Sequence, residues 1–252
     1  MPLPASRRAG IVRGDKRSAE AGTSLAIYTS SKSGTAGCSS AVGRSWGGAR
    51  NRADRVSLSL TAAQVAAVID AAATAWTRDM PLTRHITVHW ERAGVPDERA
   101  AAATGALLKL ASQFLQKRGQ AFAYIWVREN DDGDGSKGSH VHILAHVPLV
   151  AAAAFTAMQR RWLRRVTGRS YRAGVIFTTR IGGTLRTATT SPEVYGVNLA
   201  KIVAYVVKGA SMDAAAGFGL GRRGEGGSVL GKRVSRSQNL GYRDSRCPIA
   251  LA

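Results

Sequence analysis

The chain has 252 residues, with 36 Lys and Arg against 16 Asp and Glu, a formal charge of +20 and an isoelectric point near 11.2. This length fits one domain with tails and a real hydrophobic core, and the charge calls for a polyanionic partner, nucleic acid first. The lack of a long apolar span or a basic amphipathic helix argues against a membrane, and two cysteines, Cys38 and Cys247, are too few for a disulfide scaffold or a cysteine zinc site.

Residues 1–55 carry ten basic side chains against Asp15, Glu20 and Asp54, without sustained periodicity. They read as a disordered basic arm. No apolar stretch follows Arg7, Arg8 and Arg13, so a secretory signal is not expected, and the expected setting is a reducing, bacterial cytoplasm. Order is predicted from about Val56. Helical spacing predicts a helix over 61–78. Alternation predicts a strand over 83–90, and 97–118 reads as a helix with Asp97 and Glu98 suited to its N-terminal dipole. A strand over 121–129, a polar Gly-rich connection over 130–139 and a strand over 140–147 form the central hairpin. A helix over about 149–166, a short strand over 175–181 and a helix over about 196–208 follow. From Gly209 the chain reads as a Gly-rich basic tail, with Arg222, Arg223, Lys232, Arg233 and Arg236 as flexible backbone contacts to a polyanion. The element order predicts an α+β fold, an antiparallel sheet with helices packed on it. The predicted domain spans 56–210, and 211–252 forms the tail.

The chemistry concentrates in three places. On a strand, His140 and His142 project from one face while Val141 points the other way. Glu129 ends the preceding strand, and the hairpin brings its carboxylate towards the pair. Two imidazoles and a carboxylate leave open positions on a cation for water and substrate. His146 shares the parity but lies about 13 Å further along the strand, so it is expected to be structural or a nucleic-acid contact. In the helix NLAKIVAYVVKGA, Asn198, Lys201, Tyr205 and Lys208 fall on one stripe, distinct from the apolar face. A tyrosine hydroxyl is a weak nucleophile unless a cation polarises its target and a lysine stabilises the charge that develops.

Taken in order, TRHITVHW, VREN…GSHVHILAHV and AYVVKG resemble the three motifs of the HUH-superfamily rolling-circle replication initiators (Rep endonucleases) of plasmids and single-stranded DNA phages. The resemblance spans about residues 80–210. It implies a ferredoxin/RRM-like endonuclease fold, with Mg²⁺ or Mn²⁺ held by His140, His142 and Glu129. Tyr205 would attack a phosphodiester of single-stranded DNA at a replication origin, forming a 5′-phosphotyrosine, with Lys208 at the phosphate. It further implies DNA contacts from the first motif, at Thr87, His89 and a base-stacking Trp90, and phosphate contacts from Arg84, Arg128 and Lys201. A host helicase and polymerase would be the protein partners. The motif holds a single tyrosine, since Tyr195 lies ten residues before Tyr205. The roles of His85 and His89 are left open. GGSVLGK (Gly226–Lys232) has the glycine spacing of a phosphate loop, but Arg233 stands where Ser or Thr should bind Mg²⁺ and nineteen residues follow. An NTPase domain is therefore not expected there. Asn130, Asp132 and Asp134 imitate a calcium loop, but Val141 stands at its twelfth position, so a hairpin loop is expected instead. The alternatives are a HUH single-tyrosine transposase or relaxase, or a non-catalytic single-stranded DNA-binding protein. Relaxases place the tyrosine before the histidine motif, and such transposases lack Tyr-x-x-Lys.

Overall fold

A computed structural model describes residues 54–131, 138–221 and 226–241. All but the last two residues of the arm expected over 1–55 lie outside the described residues. So do the middle of the hairpin connection, Arg222, Arg223 and both cysteines. In chain order the elements are β1 (Val56–Ser57), α1 (Ala62–Thr77), β2 (Arg84–His89), α2 (Asp97–Gln116), β3 (Ala123–Asp131) and β4 (Gly138–His146). They continue with α3 (Ala152–Thr167), β5 (Ile176–Arg180), α4 (Thr187–Thr190), α5 (Pro192–Val206), α6 (Met212–Gly217), β6 (Val229–Leu230) and β7 (Val234–Arg236). The fold is α+β: an open five-stranded antiparallel sheet in the order β5-β2-β4-β3-β7, with helices packed on it. Among the described residues no helix is long and apolar enough to cross a membrane.

Local chemistry sets the helix boundaries. The Thr61 hydroxyl accepts from the Gln64 amide while the Gln64 side chain accepts from the Thr61 amide, a reciprocal cap that starts α1. Asp97 and Glu98 occupy the first turn of α2, where the helix dipole favours anions. Gly168 ends α3 in the left-handed conformation at φ 67°, which costs glycine little. Pro192 opens α5, where a missing N–H costs nothing. The last helix therefore begins four residues earlier than periodicity predicted and ends two residues sooner.

Both faces of the sheet are covered. Ile86, Val88, Trp90, Trp126, Val141 and Ile143 pack with Leu107, Phe114 and Leu115 of α2 and Phe155 and Trp162 of α3. On the other face, Ile125, Val127 and Leu144 pack with Val65 and Val68 of α1 and Tyr195, Val203 and Val206 of α5. Strand parity thus sorts every side chain of the sheet onto one of two faces.

Where it is described, the segment expected to be a flexible tail is instead part of the fold. Ala214 and Ala215 of α6 are buried in the second core, and β7 pairs with β3 through Ile125↔Arg236, Trp126↔Ser235 and Val127↔Val234. Arg233 is buried, with Nε donating to the Ser57 hydroxyl at 3.0 Å and Nη2 to the Ser57 carbonyl at 2.6 Å and to the Gly227 carbonyl. Gly/Arg composition misled here because the apolar residues that anchor the segment, Val229, Val234 and Leu240, are few and widely spaced.

At the loop end of the hairpin, Arg128 is fully buried on the α2 face. Its Nη2 bonds the Asp97 carboxylate and, at 2.8 Å, the Asp97 carbonyl; Nη1 bonds the carbonyls of Leu230 at 2.9 Å and Lys232 at 3.2 Å. Asp97 also accepts from the Ser139 hydroxyl at 2.6 Å and the Leu230 amide at 2.7 Å. One carboxylate therefore ties α2, β3, β4 and β6 together. Removing one partner of a buried ion pair strands the other charge, at a cost of about 3–5 kcal/mol. Asp97→Ala is expected to lose that much stability in urea titration, and a loss below about 1 kcal/mol would show that the fold does not depend on the pair.

Candidate metal centre

The hairpin register creates the site. Glu129 on β3 pairs directly with His140 on β4, and His142 pairs with Thr87 on β2. By parity Glu129, His140, His142, His85, Thr87 and His89 all project from the α1/α5 face. Glu129, His140 and His142 are each at most 4 % exposed, and one donor atom from each lies within 4.8 Å of the others. Glu129 Oε2 is 3.2 Å from His140 Nε2 and 3.5 Å from His142 Nε2. Two donors bonded to one cation at about 2.1 Å sit roughly 3.0–3.4 Å apart at right or tetrahedral angles, so the spacing fits.

The hydrogen bonds around the triad aim its lone pairs inward. His140 Nδ1 donates to the Gly138 carbonyl at 2.7 Å, which turns Nε2 towards Glu129. His142 Nδ1 lies 3.1 Å from the Thr87 hydroxyl and 3.2 Å from His85 Nε2. With a cation on Nε2, His142 Nδ1 carries the proton and these two atoms accept it, the outer-shell arrangement that fixes ligand tautomers. His142 Nε2 and Glu129 Oε1 are buried without a hydrogen-bond partner. Buried polar atoms are rarely left so, and a cation held by the triad would satisfy His142 Nε2.

Electrostatics favour the ligating forms. Burial opposes ionisation of Glu129, but the His140 and His142 imidazoles and the Lys208 ammonium outweigh it and hold the carboxyl well below the usual range. Burial pushes the His142 imidazole down. Burial, with the His142 and Lys208 charges behind it, pushes His85 down to about 4. His85 and His142 are therefore neutral near pH 7.

Helix α5 brings the other two groups. Tyr205, in its last turn, lies edge-on to His142 with ring centroids 5.2 Å apart, and to His85 at 5.9 Å. Lys208, just past the helix end, sits 4.5 Å over the Tyr205 ring and contacts Glu129 Oε2. The structure therefore brings together all five residues expected at the centre: Glu129, His140, His142, Tyr205 and Lys208. Lys208 occupies the cation's side of the carboxylate.

The expected DNA contacts fare differently. Arg84, Trp90 and Arg128 have the opposite parity and face α2 and α3. Trp90 is fully buried and its Nε1 donates to the Thr104 hydroxyl at 2.9 Å, so it is core and cannot stack on a base. Arg128 is locked to Asp97, and Arg84 is 7 % exposed beside Arg180, so neither reaches a strand at the metal centre. Thr87 and His89 are on the correct face but support the ligands rather than DNA: Thr87 bonds His142 and the His89 ring lies 5.4 Å from that of His140. Of that group only Lys201, exposed one turn before Tyr205, keeps its expected place. Tyr195 is also removed as a second nucleophile, being 1 % exposed, stacked on Trp76 at 4.9 Å and donating to the Leu82 carbonyl at 3.0 Å. His146 bonds the Pro81 carbonyl at 2.8 Å.

Three contributors escaped the sequence. Phe177 on edge strand β5 pairs with Thr87, shares the site face, is 51 % exposed and meets His89 edge-on at 5.7 Å. Alternation in VIFTTRI was the signal for it. Arg233 raises the positive potential behind Glu129. Gly226 packs so closely that an added β-carbon would lie 3.3 Å from Glu129 Cγ. Neither of these two has a local sequence signature.

Nitrogen donors rank Mn²⁺ above Mg²⁺, so calorimetric titration is expected to give tighter Mn²⁺ binding. His85→Leu with Thr87→Val is expected to weaken it about 10–100-fold, and an unchanged affinity would remove their supporting role. Lys208→Met is expected to tighten Mn²⁺ binding by about tenfold, or about 1.4 kcal/mol, because the ammonium no longer competes for Glu129; weaker binding would contradict that competition. No known protein family, curated protein or solved structure gives a significant match to this chain.

Proposed function

We propose that this chain is a metal-dependent endonuclease and strand transferase acting on single-stranded DNA, of the HUH replication-initiator kind, with Tyr205 as its nucleophile. One observation carries the reading. A half-buried tyrosine and a lysine from α5 stand directly beside a buried Glu-His-His cluster, with the Tyr205 and His142 rings 5.2 Å apart. Neither a structural metal site nor a passive DNA-binding sheet needs a tyrosine and a lysine at that position.

Glu129, His140 and His142 would hold the Mg²⁺ or Mn²⁺, which supplies charge to polarise the scissile phosphate. Tyr205 Oη attacks phosphorus, losing its proton to solvent or a phosphate oxygen. The phosphorus–O3′ bond breaks, and the leaving 3′-oxygen takes up a proton. The product is a 5′-phosphotyrosine and a free 3′-hydroxyl that a polymerase can extend. Attack by a 3′-hydroxyl on the same phosphorus reseals the strand and returns the proton to Tyr205. Lys208 stabilises charge on the phosphate once released from Glu129. Lys201 and the +20 chain draw the strand in, and Phe177 offers a ring face to a base. The tyrosine following the histidines, together with Tyr-x-x-Lys, favours an origin-nicking initiator, assisted by a host helicase and polymerase, over a relaxase or single-tyrosine transposase.

The test is a denaturing gel of full-length protein with a labelled single-stranded DNA library, in Mn²⁺ or EDTA. A protease-sensitive adduct is expected in Mn²⁺ alone, falling by about 10³-fold or more in Tyr205→Phe and also lost in His142→Ala. Tight binding with no adduct across the library would favour the non-catalytic reading. An adduct that persists in Tyr205→Phe would assign the wrong nucleophile.

A further inference from the structure

Helix α3 turns Ala152, Phe155, Trp162 and Leu163 into the core and leaves Arg160, Arg161, Arg164 and Arg165 exposed. Past Gly168 the chain reverses, and Arg169 folds back until its guanidinium lies against the turn before α2: a β-carbon on Gly94 would sit 1.9 Å from Arg169 Nη1. Arg92 reaches across from that same turn, 3.5 Å from where a Gly174 β-carbon would stand. Three separate segments thus deliver guanidinium groups to two adjoining clefts. Arg92, Arg164, Arg169 and Arg172 line the first, and Arg161, Arg164, Arg165 and Arg169 the second, with Thr167 and Ser170 among them.

Among the described residues no carboxylate pairs with this convergence. Residues 138–192 contain eight arginines and no Asp or Glu, and among the described residues none of the cleft arginines enters an ion pair. The α3 C-terminal dipole favours Arg164 and Arg165 but not Arg92, Arg169 or Arg172, which repel one another unless an anion lies between them. Concave arginine clefts with interspersed hydroxyls suit phosphodiesters. A lipid surface would call for apolar side chains to insert, and no large exposed apolar residue lines either cleft.

The clefts lie on the α3 side of the sheet, opposite the metal centre, but they meet it at an edge. β5 is the outer strand. Val175, just before it, lines the first cleft, while Phe177, two residues on, shares the face of the histidines. We propose that these clefts form a second, sequence-independent phosphate-backbone site, which grips DNA flanking the strand at the metal centre after it passes around the β5 edge. The proposal rests on DNA being the substrate but not on Tyr205 being the nucleophile.

The test measures anisotropy of a hairpin DNA with a single-stranded tail across a salt series, using the full chain and its Arg164→Gln/Arg165→Gln/Arg169→Gln variant. The slope of log Kd against log salt is expected to fall by about one per arginine lost, with metal-dependent adduct formation on the isolated tail unchanged. The Arg→Lys triple variant is expected to keep the slope, which separates lost charge from lost folding. An unchanged slope in the Gln variant would overturn the proposal. So would loss of adduct formation on the isolated tail, which would assign the arginines to the cutting groove. Binding to phosphatidylserine vesicles that disappears in the Gln variant while the DNA slope holds would overturn it in favour of a membrane. If no adduct forms with any protein, the slope still decides the second site independently of the reaction.

Discussion

A carboxylate that is 4 % exposed in the middle of a sheet cannot stand alone, because removing an ion from water costs several kcal/mol unless opposite charge and hydrogen bonds replace it. Glu129 meets that demand from four directions. His140 comes from the next strand in direct register, His142 from two residue pairs further along and Lys208 from just past the end of α5, while Arg233 lies behind it on the segment that lines β3. The hairpin register and the placement of α5 bring up the groups that hold that carboxylate ionised. Gly226 closes the arrangement by leaving no room for a side chain against Glu129.

The neighbouring residue shows the same rule on the other face. Arg128 and Glu129 are consecutive and point in opposite directions, each burying a charge that the other cannot neutralise. Arg128 is held by Asp97 and three backbone carbonyls through its two terminal nitrogens, a purely internal arrangement. Glu129 is satisfied by groups that leave one of its oxygens and His142 Nε2 unpartnered.

Much of this was legible in the sequence. Alternation gave β2, two apolar runs around a polar, Gly-rich connection gave the β3–β4 hairpin, and strand parity placed His140, His142 and Glu129 on one face. The helical stripe put Tyr205 and Lys208 together. Parity was also sufficient to exclude Arg84, Trp90 and Arg128 from that face, since each is one residue out of step with His85, His89 and Glu129; a positive charge or a large ring is no argument once its face is known. Thr87 and His89 needed the register between β2 and β4, a long-range pairing that no local pattern specifies. The 211–241 segment was illegible for a different reason. Its strands β6 and β7 are two and three residues long, too short for periodicity, and their order comes from backbone pairing of β6 with β1 and of β7 with β3 and from Arg233, whose burial is unusual for so polar a group.

In the proposed centre Glu129, His140 and His142 close on one divalent cation that Lys208 otherwise displaces. Crystals of the protein soaked in Mn²⁺, with data collected at the manganese absorption edge, are the test. A single anomalous peak is expected about 2.1 Å from Glu129, His140 Nε2 and His142 Nε2, with the Lys208 ammonium moved off the carboxylate. An empty triad with Lys208 still on Glu129, or manganese bound elsewhere, would contradict it.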